Sequence, residues 1–408
     1  MKLQNQFSIT HFIPLIGSFE IANRKFNLGF DDQYYFSFSN FKNNEIHLSS
    51  NFNRDIVYLD DKLLSDDYSI KNYKDFIRNN NIIKTNLQAS IPPCGGLSKL
   101  NRHSSSLSKS NRWIYESVKW FLAQDNDCLL FENAPGLVQK EGIKVIRNII
   151  NILKFNGLEN KYKLNFVYTN TLNHGLPQYR KRTFCYIYKN DKNVYLTNKI
   201  NHTLSIEEFL KSHNVKNSTF FINDYAIEFL DFIKENNIIS KIKEKYKDEK
   251  YVSISMLHFL RNNLEDYDFS KYKKIQRDAI KIKNKNGGNF WDSSPLFVKG
   301  KCNAIVTKGN YQRILNPLID NEFLGIESIL HLMGLENFNV IDPLNNYNHI
   351  CQSVPINTAR DSLLWAKEIL NNNKTIDGNF DFIIQDNTKS NLENDIYYYN
   401  NDKKIKIN

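Results

Sequence analysis

Three features are missing from the sequence, and each absence excludes a class of protein. The 408 residues contain no uninterrupted run of about 18 apolar residues, so a membrane-spanning helix is not expected. Residues 1–6 do not begin a charged segment followed by an apolar one, so a signal peptide is not expected. The five cysteines include no C-x-x-C pair, which argues against a zinc site and a disulfide framework. A metal-free protein of the reducing cytoplasm fits this pattern.

Positive charge is in excess along the chain. The formal net charge is +10 and the pI is about 9.0. Such an excess favours a polyanionic partner, because neutralised phosphates release bound counterions. A lysine-rich surface encoded by an AT-biased genome gives the same excess, and the abundant Asn, Ile and Lys agree with that explanation. Charge alone therefore does not decide between a nucleic-acid partner and an ordinary solvated surface.

One cysteine lies in a distinctive loop sequence, SIPPCGGLS, at residues 90–98. Two prolines precede Cys94 and stiffen the chain, since each of them fixes φ. Two glycines follow it, and they allow a sharp turn and close approach of a ligand to the backbone. The pattern presents one thiol in a repeatable pose, although a surface turn that happens to contain a cysteine has the same composition.

Two further segments contribute a carboxylate and a pair of arginines. A short apolar run that starts at Cys128 predicts a buried strand leading into Glu132. Catalytic groups of α/β enzymes lie at the ends of such strands. Later in the chain, Gln178, Arg180 and Arg182 alternate ahead of another apolar run. This spacing predicts that the three side chains share one face of an extended segment.

The order of these motifs resembles that of the DNA cytosine-5 methyltransferases. That family carries a Pro-Cys nucleophile loop, then Glu-Asn-Val, then Gln-x-Arg-x-Arg. The matching residues here are Pro93-Cys94, Glu132-Asn133-Ala134 and Gln178-x-Arg180-x-Arg182. The resemblance implies an α/β fold, with a Rossmann-like S-adenosylmethionine-dependent methyltransferase domain and a second, smaller DNA target-recognition domain.

Residue roles follow from the same resemblance. Cys94 would be the nucleophile and Glu132 the general acid at cytosine N3. Arg182 and Arg180 would hold cytosine O2 and the adjacent phosphate. Further contacts with the substrate nucleic acid are implied for Gln178, Ser98 and His103.

A cofactor site for S-adenosylmethionine is implied near the N-terminus. Residues 8–16 alternate and predict a strand, followed by a turn at Gly17 and a helix from Glu20, an arrangement that binds nucleotide-like cofactors. The family's first motif is richer in glycine and begins with an aspartate, which Pro14 replaces here. The cofactor contacts implied by the resemblance are Phe12, Gly17, Ser18, Phe19, Asn40, Asp55, Pro92, Gln352 and Ser353.

One acidic contact of the family is missing from its usual place. The family has an acidic residue after the asparagine that ends the second strand, and this residue binds the ribose hydroxyls. Phe41 follows Asn40 here, so that contact is either absent or supplied by a neighbour such as Glu45.

A change of pattern after Lys189 predicts a second domain. Residues 1–190 are predicted to form the first part of the catalytic domain, 191–322 the target-recognition domain and 323–408 the return to the catalytic domain. The lysine-dense residues 271–285 run into residues 286–292, which contain glycines and aromatics. Such a segment can contact a DNA groove, and a solvated helix followed by a turn has the same pattern.

The function implied is methyl transfer to C5 of a flipped-out cytosine in double-stranded DNA, through a covalent Cys94–C6 intermediate. The expected protein is a monomer, with a cognate restriction endonuclease as a further candidate partner. Three alternatives stay open: methylation of a transfer-RNA cytosine, which one branch of this fold carries out; a non-catalytic DNA-binding relative; and an unrelated α/β protein with coincidental motifs.

Overall fold

The computed structural model describes residues 7–98, 105–215, 224–285, 294–305, 313–378, 380–388, 395–400 and 403–407. His103 and residues 286–292, which the sequence predicts to contact nucleic acid, lie outside these residues. The chain divides into two compact units. The first comprises Met1–His174, Lys181–Asn201 and Ser353–Asn408, and the second comprises Gly175–Arg180 and His202–Gln352. Residues 323–352, which the sequence assigns to the catalytic domain, therefore belong to the second unit.

The strands of the described chain are β1 (Phe7–Phe12), β2 (Phe30–Phe38), β3 (Val57–Leu59), β4 (Leu87–Ser90), β5 (Cys128–Asn133), β6 (Tyr162–Asn170), β7 (Gln178–Tyr179), β8 (Lys181–Lys189), β9 (Asn193–Val194), β10 (Val252–Ser255), β11 (Leu296–Lys299), β12 (Cys302–Asn303), β13 (Thr375–Ile376), β14 (Phe382–Asn387), β15 (Asp395–Asn400) and β16 (Lys403–Ile407). The α-helices are α1 (Ser18–Lys25), α2 (Lys42–Phe52), α3 (Lys71–Asn79), α4 (Arg112–Gln124), α5 (Lys140–Phe155), α6 (Ile206–Ser212), α7 (Asp224–Glu235), α8 (Ile238–Lys245), α9 (Met256–Leu260), α10 (Lys273–Asn284), α11 (Ile326–Met333), α12 (Tyr347–Gln352) and α13 (Ile356–Leu370).

Among the described residues, ten strands of the first unit form one sheet in the order β16-β15-β14-β6-β8-β5-β4-β1-β2-β3. Strands β1 to β5 pair in parallel, and β8 lies antiparallel between β5 and β6. The amino end of β8 therefore meets the carboxyl ends of its neighbours at one edge of the sheet. This is the edge where α/β sheets bind their ligands.

Helix α5 shows how the sequence builds the core of this unit. Its apolar residues recur at helical spacing, and Ile146, Ile149 and Leu153 are buried against the sheet together with residues of α4. This spacing predicts a helix over residues 140–155, and the structure has a helix with these bounds. Leu129 and Phe131 of β5 belong to the same core cluster. All six residues of β5 are buried, as expected for a strand enclosed on both faces.

Two predicted strands differ from the structure. The first strand ends at Phe12 instead of continuing to residue 16, because the following backbone enters the left-handed region. The predicted arginine segment is broken at Arg180 into β7, which pairs with β12, and β8, which pairs with β5 and β6. The expectation of one continuous extended face for Gln178, Arg180 and Arg182 was therefore wrong.

The second unit is mainly helical in its described part. Helices α7 to α10 surround an aromatic-rich core that includes Phe229, Phe232 and Phe269, beside the short β10–β11 ladder. None of the described helices is long and apolar enough to cross a membrane.

Candidate active site

The carboxyl edge of the first unit's sheet brings the Cys94 loop, Glu132 and Arg182 together. Strands β4 and β5 are parallel neighbours with Ser90 opposite Phe131, so the Cys94 loop and Glu132 leave adjacent strands at the same edge. Strand β8 runs the other way beside β5, with Thr183 opposite Asn133, and this places Arg182 at that edge too. The sheet topology thus unites three residues that are far apart in sequence.

Glu132 and Arg182 form a nearly buried ion pair. Arg182 Nε lies 2.6 Å from Glu132 Oε1, and the two side chains are 14% and 4% exposed. Arg182 also donates from Nη1 to the Lys181 carbonyl at 2.8 Å. The Nε–H group is not aligned for a hydrogen bond to that oxygen, so the contact is an ion pair. It places the Arg182 guanidinium directly beside the Glu132 carboxylate at the end of β5.

Glycines allow the Cys94 loop to pack closely against its surroundings. A Cβ placed on Gly136 would lie 2.1 Å from the Leu97 carbonyl oxygen, and one on Gly96 would lie 2.2 Å from Asn111 Oδ1. A Cβ on Gly95 would meet nothing closer than 3.9 Å. The loop therefore rests directly on the turn that follows Glu132, where Gly136 allows the close approach of Leu97, and Gly96 allows the loop to approach Asn111.

The thiol of Cys94 is the accessible one among the five cysteines, all of which lie in described residues. Cys94 is half-buried, whereas Cys128, Cys185, Cys302 and Cys351 are buried. Burial raises the pKa of the Cys302 and Cys351 thiols to about 12. It raises the pKa of the Cys128 and Cys185 thiols further. The four buried thiols are thus unreactive core residues.

Ser98 and Pro92 belong to the same loop. Ser98 is half-buried and Pro92 is buried directly after β4. Their predicted contacts with substrate and cofactor stay predictions, as does the role of His103.

Gln178 and Arg180 are not brought into this group. Both lie in the second unit and are buried, at 0% and 1% exposed. Gln178 donates to the Leu332 carbonyl at 3.1 Å. Arg180 donates to the carbonyls of Ile305 and Cys351 at 2.7 and 2.8 Å. In this structure the two side chains therefore hold segments of the second unit together.

The loop after β1 replaces the glycine-rich turn of the family by a strained backbone. Ile13 and Leu15 both have a φ of 52°, and Gly17 has a φ of 88°. A non-glycine residue in the left-handed region costs about 1–2 kcal/mol. Both side chains are almost fully buried, at 0% and 5% exposed. Burying such a side chain contributes about 1.5–3 kcal/mol, which outweighs the strain.

The start of α1 connects this loop to the segment around Ser353. Gly17 is the N-cap of α1, and Ser18 Oγ accepts a hydrogen bond from the Val354 backbone N–H at 3.1 Å. Ser353 is buried in the first unit, whereas Gln352 is an exposed residue of the second. The return of Ser353 and Val354 to this loop agrees with their predicted position.

Phe12 and Phe19 are core residues. They are 0% and 2% exposed, and the Phe12 ring stacks on Trp120 with centroids 5.4 Å apart. Contact between these two rings and a cofactor would therefore require the core to open, and only their backbone groups stay candidates.

Asp55 does not lie at the carboxyl edge. It precedes β3, and Phe38 at the end of β2 pairs with Leu59, four residues further on. At about 3.3 Å per residue, Asp55 is about 13 Å from that edge along the strand. The carboxylate that follows β3 is Asp60, which is 62% exposed and accepts from the Lys62 N–H at 2.8 Å. The cofactor contact predicted for Asp55 stays a prediction, and Asp60 is a second candidate because it follows β3 directly.

Glu45 is also unable to act as an exposed ribose ligand. It is fully buried, and Ser37 Oγ donates to its Oε1 at 2.5 Å. Burial raises the pKa of its carboxyl from 4.5 to about 7, despite the hydrogen bond from Ser37. Asn40, in contrast, is exposed just after β2. Polar groups available at the carboxyl edge thus include Asn40 and Asp60.

Comparison with known proteins identifies the family. Residues 67–361, more than half of the chain, match the family model described as C-5 cytosine-specific DNA methylase. The chain belongs to this family. The Cys94 loop, Glu132 and Arg182 all lie inside the matched segment. A search of curated proteins found no significant match to the methylase.

Solved structures with the same fold extend over most of the methylase. A prophage-encoded E. coli protein described as a DNA modification methyltransferase has a TM-score of 0.55 at 14% identity, covering 90% of this chain and 100% of that one. The Entamoeba histolytica methyltransferase EhMeth has a TM-score of 0.53 at 16% identity, and the match covers 90% of this chain and 99% of that one. A mutant of DNMT2 from Spodoptera frugiperda has a TM-score of 0.51 at 12% identity, and the match covers 88% of this chain and 99% of that one. At these identities the likeness shows the fold, and it confirms the Rossmann-like α/β class predicted from the sequence.

The residues at the carboxyl edge fit the cofactor of this family, S-adenosylmethionine. The Gly17 turn, Asn40, Asp60 and Pro92 follow four consecutive parallel strands. An exposed carboxylate and an exposed amide suit the hydroxyl and amino groups of a nucleoside. Within the described ranges, no cluster of three or more His, Cys, Asp or Glu side chains is arranged to bind a metal ion.

Proposed function

We propose that this methylase transfers a methyl group to C5 of a cytosine in double-stranded DNA, with Cys94 as the nucleophile. The observation that carries the proposal is the arrangement at the carboxyl edge. The one accessible thiol lies in a loop packed on the turn after Glu132, and Glu132 is paired with Arg182. S-adenosylmethionine supplies the methyl group when bound.

Cys94 provides the activation that cytosine needs. C5 of cytosine is too weak a nucleophile to react unaided. Addition of the Cys94 thiolate to C6 places electron density on C5 and divides one difficult step into easier ones. Once C5 carries the methyl group, a base removes the C5 proton, and elimination breaks the C6–S bond and frees the Cys94 thiolate. Because the loop is held by Gly96 and Gly136, the thiol is presented without a large conformational search.

Glu132 serves as the acid for the same step. Attack at C6 pushes negative charge toward N3. The Glu132 carboxylate, which pairs with Arg182 in this structure, takes up a proton from solvent before this step and stabilises the charge by donating that proton to N3. Arg182 lies beside the carboxyl and offers further N–H donors to cytosine O2. The base is out of reach inside a stacked duplex, so it must be flipped out.

The second unit is proposed to recognise the DNA. Helix α10 buries Ile275, Ala279 and Ile282 and exposes Lys281 and Lys283. Neutralising Lys281, Lys283 and Lys285 together should weaken binding evenly across sequences and flatten its salt dependence, since phosphate contacts carry no sequence information. Equal salt slopes in the wild type and the triple variant would contradict this assignment.

Methyl transfer from labelled S-adenosylmethionine tests the whole proposal. The substrates are unmethylated duplex DNA, single-stranded DNA and total transfer RNA, each with wild-type protein and with Cys94→Ser. Bisulfite sequencing of DNA from expressing cells then locates the modified cytosine. Transfer to duplex DNA alone is the expected result. Transfer to RNA alone would change the proposed substrate from DNA to RNA and leave the proposed reaction unchanged. Binding without transfer to any substrate would identify a non-catalytic relative.

A further inference from the structure

The second unit contains a surface cleft at the end of α8, facing the β10–α9 segment. Its volume is about 400 Å³. Its described lining includes Lys245, Ser253, His258, Arg261 and Asn262, and contains no aspartate or glutamate. Two permanent cations, an imidazole, a hydroxyl and an amide thus face one space without a carboxylate. Such a lining favours an anion.

The two cations of this cleft differ from neighbouring lysines in their partners. Lys243, on the same helix, pairs with Asp320 at 2.7 Å, and Lys247 pairs with Glu244 at 3.0 Å. No carboxylate of the described chain lies within ion-pair distance of Lys245 or Arg261. Arg261 Nε is buried and has no hydrogen-bond partner among the described residues. A buried, unsatisfied donor on a cation is costly unless a ligand satisfies it.

The size and walls of the cleft indicate the class of anion. A volume of about 400 Å³ falls within the range of small-ligand sites, about 300–1,000 Å³, and is far larger than a single phosphate. Lys245 Nζ lies 5.6 Å from the Tyr246 ring centroid and 5.4 Å from that of Phe259. Both rings belong to the lining. Cations beside aromatic rings suit a phosphate joined to a planar base.

We propose that this cleft binds one nucleotide of a nucleic-acid strand, with Arg261 and Lys245 holding its phosphate. Arg261 offers the forked donors that match phosphate oxygens, and Lys245 adds a second positive charge at the rim. The proposal rests on the proposed function, since it supplies a backbone contact for the substrate of the methylase. It assigns that contact to residues separate from the α10 lysines.

A charge-matched pair of variants tests the cleft. Lys245→Gln/Arg261→Gln removes two positive charges from its lining, and Lys243→Gln/Lys247→Gln removes two from carboxylate-paired lysines in and just after the same helix. Fluorescence anisotropy with a labelled duplex oligonucleotide, over a range of salt concentrations, measures both. We expect the cleft variant to lose affinity on the order of tenfold and its salt slope to fall by about 1–2. The control should change by less than about threefold. Equal losses in the two variants would overturn the proposal.

Folding is checked separately by circular dichroism and thermal unfolding. If Lys245→Gln/Arg261→Gln does not fold, the exposed Lys245→Gln single variant and the charge-preserving Arg261→Lys replace it. The first is expected to weaken binding about threefold. Unchanged binding by a folded Lys245→Gln variant would count against the cleft.

Titration with cytidine 5′-monophosphate tests the cleft proposal independently of the proposed function. It also shows whether the ligand of the cleft is a nucleic-acid strand or a free nucleotide. If wild-type protein binds neither duplex DNA nor RNA, the proposed function fails. Cleft-dependent binding of the mononucleotide would then still support the site and identify a free nucleotide as its ligand. Absence of mononucleotide binding together with absence of strand binding would overturn both. A wild-type protein that binds the duplex at least 100-fold more tightly than the mononucleotide would support the strand as the source.

Discussion

The carboxyl edge of the large sheet has two halves that keep the family pattern in different ways. At β4, β5 and β8 the family's residues are present, and Gly96 and Gly136 let the loops touch. At β1 and β2 the family's glycines and acidic residue are replaced. Ile13 and Leu15 take the left-handed backbone themselves, and Glu45 is buried. The catalytic half therefore depends on side-chain identity, and the cofactor half depends on the path of the backbone.

Bond-forming chemistry explains this difference. A thiol and a carboxylic acid have no substitute at the reacting atoms, so their positions tolerate no exchange. A backbone turn can be stabilised either by glycine or by burial, and burial of Ile13 outweighs its local strain. Substitutions in the catalytic half should therefore lower turnover, whereas substitutions in the cofactor half should change stability or cofactor affinity.

The largest effect is expected at the nucleophile. Cys94→Ser should lower methyl transfer by a factor on the order of 10³ or more, because a serine hydroxyl is far less ionised than a thiol. Calorimetry should give unchanged affinity for S-adenosylmethionine, since Cys94 lies in the catalytic half. Turnover at the wild-type rate would remove Cys94 from the mechanism.

Glu132→Gln should follow, with a loss of about 10²–10⁴ in turnover. The amide keeps the size of the side chain but cannot donate the carboxylic proton to N3. Single-turnover rates as a function of pH provide the measurement, and the alkaline limb of the wild-type profile, where a general acid has lost its proton, should disappear. A variant with reduced DNA affinity and normal single-turnover rate would show that Glu132 only helps binding.

In the cofactor half, substitution of Glu45 should change how the free energy of unfolding depends on pH. The folded pKa of Glu45 is about 7, compared with 4.5 ordinarily. The folded state therefore holds an extra proton between these values, and its stability falls as pH rises through this window. The difference amounts to about 3 kcal/mol. Urea unfolding at pH 4.5 and pH 8 should show Glu45→Gln gaining about this much relative to wild type at the higher pH. Parallel pH profiles for the two proteins would contradict the buried, protonated carboxyl.

Substitutions of the two candidate aspartates test whether sequence similarity, which selects Asp55, or strand position, which selects Asp60, identifies the cofactor contact. Asp60→Asn should weaken S-adenosylmethionine binding about 10- to 100-fold, as expected when a charged hydrogen bond is lost. Asp55→Asn should leave it within about twofold, since Asp55 precedes β3. Calorimetry decides between them, and the reverse result would favour Asp55.

The smallest expected effect is on the free energy of unfolding, and it appears when substitutions at the adjacent residues Gly95 and Gly96 are compared. Gly96→Ala should destabilise the protein by about 1–3 kcal/mol through the clash with Asn111. Gly95→Ala, with open space around its Cβ, should stay within about 0.5 kcal/mol. Thermal unfolding measures both, and methyl transfer should fall only for Gly96→Ala. Equal behaviour would mean that the loop does not need its close contact.

Much of the catalytic half could be predicted from sequence because its motifs name the reacting groups directly. Cys94, Glu132 and Arg182 lie together as the motif order implied. The burial of Arg180 could not be predicted, since its carbonyl partners, Ile305 and Cys351, are remote in sequence. Asp60 became a candidate only with the structure, because local similarity around Asp55 carries no information on strand register. Its position directly after the apolar alternation of β3 is the signal in the sequence that points to it.

A very short stretch of chain separates two anchored arginines beside Glu132. Arg180 is the last anchored residue of the second unit before the chain re-enters the first, and Arg182 lies two residues later. Two residues span at most about 7 Å of chain. The reach of the Arg182 guanidinium is therefore limited by the one residue, Lys181, that separates it from the carbonyl-bound Arg180. The position of Arg182 beside Glu132, 2.6 Å from its Oε1, is thus set by the length of the backbone as well as by the attraction of opposite charges.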